Sequence, residues 1–161
     1  MKSKRSTSEK PRILVDTTFL LPAMGVEVEE EAMKVIPLFR RLEVHYLEVA
    51  LLEALWKVLR VVPRRELNRV RLGIEAIRAT YKVLTPPPEA YVNAIKIYDE
   101  DHRDYIDALH YETARATGTP WLTIDYEFKE FLEKKGYPVE GITLTPDNLW
   151  KVLGKNSGEQ V

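Results

Sequence analysis

The chain has 161 residues, of which 45% are apolar, 30% charged and none cysteine, with a formal net charge of −1. That is one domain's length with enough apolar material for a core; it excludes disulfides, thiol nucleophiles and cysteine-held zinc, and it makes any nucleic-acid surface a local feature. No apolar run reaches 18 residues and MKSKRSTSEK has no hydrophobic signal core, so the expectation is a soluble, cytoplasmic protein. A single Gln and four Asn beside so many charged residues are a thermophile-like bias.

Residues 1–10 are polar without periodicity and read as a disordered tail; 11–153 read as one domain and 154–161 as a frayed tail. Arg12-Ile13-Leu14-Val15 is a buried first strand with Asp16 at its carboxyl tip. Residues 27–41 predict a helix with acids in its first turn and arginines in its last, divided at Pro37. A second strand runs over 42–47. Residues 49–62 form a strongly apolar helix whose polar stripe is Glu53, Lys57 and Arg60, and Pro63 ends it. Residues 64–81 repeat Leu67, Val70, Ile74, Ile77 and Tyr81 at helical spacing. Lys82-Val83-Leu84 is a short third strand, and Pro86-Pro87-Pro88 opens a helix over 89–99.

The stretch from Asp104 to Asp125 organises the rest. Its helix sets Ile106, Leu109, Thr113 and Ala116 on the packing face, and Asp104, Asp107, Tyr111 and Ala114 on another. Gly118 suits a left-handed C-cap and Pro120 blocks continuation. Trp121–Ile124 is then a strand ending at Asp125. A helix over 126–135, a strand around 141–145 and a short helix over 147–153 complete the chain. Strands alternating with helices predict an α/β fold, a three-layer sandwich with a mostly parallel central sheet. In such sheets ligands bind outside the carboxyl ends of the strands.

Four acids stand at positions that a parallel sheet can gather at one edge: Asp16, Glu53, Asp107 and Asp125. Crowded carboxylates repel unless a cation neutralises them, and an all-oxygen set suits Mg²⁺ or Mn²⁺. Such a cluster can activate water for phosphodiester displacement.

The order Val15-Asp16-Thr17-Thr18, Glu53 in LLEALWKVL, Asp107-Ala108-Leu109 with Ala114, and Thr123-Ile124-Asp125 with Phe128 resembles the PIN-domain family across roughly residues 12–132. It departs at Thr18, where many members have Asn, and at Glu48, where a small polar residue is common. The resemblance implies an α/β/α fold and a Mg²⁺- or Mn²⁺-dependent endoribonuclease, the toxin of a VapBC-type toxin–antitoxin pair. The alternatives are a housekeeping RNA-processing nuclease or a non-catalytic PIN or receiver-like binding module. It implies Asp16, Glu53, Asp107 and Asp125 as catalytic, Asp16, Asp107 and Asp125 as metal ligands, and Thr17 and Thr123 as supporting hydroxyls. The implied partners are RNA and an antitoxin protein, with a homodimer or higher homo-oligomer as the assembly.

Local readings stand beside these. Asp104 reads as the helix N-cap supporting the site, and Glu53–Lys57 as an i, i+4 surface pair. His102 and His110 read as surface or cap residues, His45 as structural in a strand, and Trp56, Trp121 and Trp150 as core. From Lys57 to Arg78 there are seven Lys and Arg against two Glu, a local net of +5. Lys57, Arg60, Arg64, Arg65 and Arg71 are therefore the expected RNA-backbone contacts.

Overall fold

Arg12-Ile13-Leu14-Val15 forms β1 (Arg12–Val15), and its last three side chains are entirely buried. A strand covered on both faces reads as a continuous apolar run, the pattern of a parallel sheet. The computed structural model describes residues 9–102 and 104–154; of the expected tails over 1–10 and 154–161, residues 1–8 and 155–161 lie outside the described residues. β2 (Glu43–Tyr46), β3 (Lys82–Val83), β4 (Trp121–Leu122) and β5 (Thr143–Leu144) join β1 in the order β3-β2-β1-β4-β5. Every pairing is parallel, with Leu14 opposite both His45 and Trp121. Antiparallel edges are absent among the described residues, so the expected mostly parallel sheet is wholly parallel there.

The chain leaves β1 toward β2 and β3, then returns to the other side for β4 and β5. Strand order therefore reverses between β1 and β4, and their carboxyl ends open the crevice of a topological switch point. Right-handed crossovers place the first set of helices on one face and the later set on the other. On the first face α1 (Glu30–Val35), α2 (Glu48–Val61) and α3 (Leu67–Thr80) all contact the 3₁₀ segment Thr17–Met24. On the second, α4 (Pro88–Asp99) packs along α5 (Tyr105–Thr117), followed by α6 (Tyr126–Lys134); α7 (Trp150–Leu153) follows the last strand.

The sequence pattern did not announce the Thr17–Met24 segment. It is a 3₁₀ turn capped by Asp16, whose carboxylate accepts the Thr17 N–H at 2.7 Å. The expected helix over 27–41 divides at Pro37: α1 stops at Val35 and a 3₁₀ segment covers Ile36–Arg41. The expected helix over 64–81 also starts as a 3₁₀ turn, Arg64–Glu66, with Leu67 exposed and Val70, Gly73 and Ile77 buried. Gly73 is there for space. A Cβ on it would lie 2.4 Å from the Ala23 carbonyl oxygen, so α3 rests directly on the 3₁₀ segment.

α5 departs from the expected two-faced pattern. Every residue from Ala108 to Ala114 is buried, Tyr111 included, whereas Ala116 is exposed. The helix lies between the sheet and α4, so nearly its whole circumference is covered. Gly118 closes it with φ of 67°, in the left-handed region that the sequence suggested.

Candidate active site

Asp16 leaves the end of β1, and Asp125 begins the turn after β4. One hydroxyl joins them. Thr123 Oγ1 donates to Asp16 Oδ2 at 2.9 Å and accepts the Asp125 N–H at 3.1 Å. An ionised carboxylate oxygen only accepts, so the hydroxyl hydrogen lies toward Asp16. Asp125 Oδ1 accepts the Phe128 N–H at 2.9 Å and caps α6. Asp104 caps α5 by accepting the N–H groups of Ile106 and Asp107, as the sequence suggested.

Asp107, one turn into α5, completes the group. Its carboxyl hydrogen-bonds to Asp125 and is pushed up to about 9, first by burial and then by the charges of Asp16, Asp104 and Asp125. Burial likewise raises the Asp16 carboxyl, against the opposing pull of His110, Thr123 and Thr17, with a further push from Glu53. Asp16, Glu53, Asp107 and Asp125 are thus neighbours electrostatically. A carboxyl raised this far favours its protonated form at neutral pH.

Among the described residues, no group of three or more Asp, Glu and His side chains stands in a metal-holding arrangement. The donor chemistry fits a hard divalent cation all the same: every candidate ligand is oxygen, and the Thr17 hydroxyl beside Asp16 is buried without a hydrogen-bond partner. Metal binding displaces ligand protons, and Asp107 carries the proton to displace.

Glu53 sits on α2 with its carboxylate 3.1 Å from Lys57 Nζ, so the surface pair and the position beside Asp16 coexist. The expected RNA contacts are spread over α2, the turn after it and α3. Lys57 is engaged by Glu53, the Arg60 guanidinium lies over the Trp56 ring at 4.8 Å, and Arg71 donates to Asn68. Arg64 and Arg65 are exposed and form no ion pair among the described residues. Arg78 is bound by Glu48 and by the Tyr46 hydroxyl. Glu48, the departure from the family's pattern, is therefore an anchor for α3.

Two histidines differ from the sequence reading. His110 is fully buried, stacked on Trp121, with Nδ1 2.8 Å from the Ile106 carbonyl oxygen; that oxygen only accepts, so Nδ1 carries the proton. His102 stacks on Phe128 at 4.1 Å between centroids, and its Nε2 points to Asp107 Oδ2 at 3.7 Å with no hydrogen-bond partner. Burial lowers its pKa, against the charges of Asp104 and Asp125. No local signal in DEDHRD separated it from a loop histidine; the clue lay in Phe128, far along the chain. Trp121 is core as expected, but Trp56 and Trp150 are exposed because the helices carrying them bury other faces.

A family model described as "PIN domain" matches residues 13–133. The fold is similar to the crystal structure of PAE2754 from Pyrobaculum aerophilum, with a TM-score of 0.58 and 20% identity over 90% of this chain and 97% of that one. No curated protein matches the sequence.

Proposed function

This chain belongs to the PIN-domain family, whose members are generally nucleases that use divalent metal ions, and from that premise we propose a Mg²⁺- or Mn²⁺-dependent endoribonuclease. The observation that carries the proposal is the interlocked edge of Asp16, Asp107 and Asp125, a cluster that retains a proton well above the usual carboxylate range. Gathering three acids in one place lowers the stability of the ligand-free fold, and clusters of this kind concentrate at functional sites.

In this reading Asp16, Asp107 and Asp125 hold the cation. A bound divalent ion supplies an activated water and charge neutralisation at the phosphate. The Thr17 N–H and Thr123 hydroxyl fix the Asp16 carboxylate so that an oxygen stays aimed at the crevice. As a ligand, Asp107 would be in its ionised form. Glu53, which is not among the proposed ligands, would accept the proton of the attacking water as the oxygen–phosphorus bond forms, and the ribose oxygen released as the opposite phosphorus–oxygen bond breaks would take a proton from solvent. Arg64 and Arg65 with Lys57, Arg60 and Arg71 hold the RNA backbone.

The purified chain should cut single-stranded RNA with Mn²⁺ or Mg²⁺ and leave it intact with a chelator or with Asp16→Asn. Intact RNA under every metal condition would remove the nuclease reading. The finer proposal, the toxin of a VapBC-type pair with an antitoxin partner, rests on the resemblance of the motifs. Its test is growth: induced wild-type chain should arrest a bacterial host and Asp16→Asn should not. Unaffected growth with cleavage in vitro would leave a housekeeping nuclease.

A further inference from the structure

Tyr126 is the first residue of α6, directly after Asp125, and its ring is 40% exposed. Its hydroxyl is not left to solvent. It donates to Glu31 Oε2 on α1 at 2.6 Å, across 95 positions of sequence. α1 belongs to the first layer and α6 to the second, so this bond crosses the carboxyl edge of the sheet, the edge where Asp16 and Asp125 stand. A short 3₁₀ turn after β5, Pro146–Asn148, packs on α1 at the same edge. A phenol held at its tip has its side-chain torsions fixed, and the exposed part of the ring becomes a rigid apolar surface beside the acids. Other exposed aromatics among the described residues stand elsewhere: Trp56 under Arg60 on α2, Tyr91 and Tyr98 on α4, and Trp150 on α7. Tyr105 also follows an acid, Asp104, but its hydroxyl donates to the Tyr91 carbonyl oxygen and ties the ring to α4.

Resting on the nuclease reading, we propose that the Tyr126 ring is a stacking platform for one base of the RNA, the base next to the phosphate held at the acids, with Glu31 as the strut that keeps the ring in place. The surroundings favour a base over a phosphate at this spot. Asp125 precedes the ring, Glu31 accepts its hydroxyl, and the Asp147 charge reaches it. A phosphate placed there meets repulsion, whereas a neutral base brings a π-face to the ring and no charge. A base reaches such a platform only after leaving its own stack, so the ring selects unpaired RNA. One base stacked on an aromatic side chain contributes on the order of tenfold in affinity.

Binding is measured with the non-cleaving Asp16→Asn chain, Mg²⁺ and a short single-stranded RNA, alongside versions of that RNA lacking the base at each position in turn. Removing the base of the nucleotide that flanks the wild-type cut should weaken binding about tenfold. Tyr126→Ala, added to Asp16→Asn, should cost about as much with intact RNA and nothing further with that abasic RNA. Tyr126→Phe, which keeps the ring and loses the bond to Glu31, should retain the dependence on the base. A ring that only braces the fold gives a different pattern, in which Tyr126→Ala weakens intact and abasic RNA alike. That pattern, an unchanged base dependence in Tyr126→Ala, or a sensitive position away from the cut would each overturn the proposal. The nuclease reading fails separately: RNA left intact by the wild type, with the coupling between Tyr126 and one base present, removes cleavage and keeps the platform. Absence of RNA binding removes both.

Discussion

α5 and the α2–α3 pair carry charge in opposite ways. α5 is covered from Ala108 to Ala114, yet it holds Asp107 against two further acids. α2 and α3 display their cations to solvent, and several are settled locally: Lys57 by Glu53, Arg78 by Glu48, Arg60 over Trp56. In the first region charge changes its protonation to survive burial, so it writes itself into stability. In the second it is screened and nearly neutral to stability, so only a ligand reveals what it does.

Four experiments break or sharpen that contrast. The largest effect is expected for Asp107→Asn: RNA cleavage should fall on the order of 10³-fold, the scale of losing a preorganised electrostatic group, while the metal-free protein becomes more stable at pH 8 by about 1–3 kcal/mol. Loss of stability in calorimetry would make Asp107 structural. The same residue sets a pH dependence. Its carboxyl titrates at 3.8 by itself and at about 9 in the fold. The fold therefore favours the protonated form, and that contribution is complete below about pH 4 and lost as the pH rises through about 9. Denaturant titrations of metal-free protein should show stability falling across this window, and Asp107→Asn should flatten the curve.

A smaller effect is expected for His102→Phe, which keeps the ring stack on Phe128 and removes Nε2 beside Asp107. Manganese affinity by calorimetry should fall about tenfold, as for removal of a partner behind a ligand, with the metal-free melting midpoint unchanged. His102→Gln, which retains an N–H donor, should recover part of it. Equal affinity in all three proteins would confine His102 to packing. The smallest effect belongs to the exposed region: Arg64→Ala with Arg71→Ala should leave stability within about 0.5 kcal/mol but flatten the salt dependence of single-stranded RNA binding by roughly one log unit. An unchanged slope, measured in Asp125→Asn to prevent cleavage, would assign that face to another partner.

Elements governed by local chemistry were readable in the sequence. Asp104 and Gly118 bracket α5 through backbone rules, and the parallel sheet follows from strands alternating with helices. Asp16 and Asp125 stood out because each follows a strand, whereas Glu53 and Asp107 lie on helices and were grouped with them through the resemblance to the PIN-domain family. What escaped was tertiary. The 3₁₀ turn over Thr17–Met24 has almost no amphipathic signature, since it is covered by both α2 and α3. His102 gains its place from Phe128, and Trp56 loses its place in the core because Ala50, Ala54 and Val58 turn α2 the other way. Periodicity gives the width of a helix's apolar arc, not which part of that arc meets the rest of the protein.

The approach of Gly73 to the Ala23 carbonyl has a mechanical side. At that point α3 touches the segment that Asp16 starts, with no side chain to act as a cushion. The contact behaves as a fulcrum, and Gly25 lies on the same lever, with the Arg69 side chain folded over it. Gly73→Ala would insert a wedge that tilts the whole arginine-bearing rod and shifts its charges together, although none of them has been touched. The placement of the α3 cations is thus gauged by a missing methyl group, set against the segment that Asp16 begins.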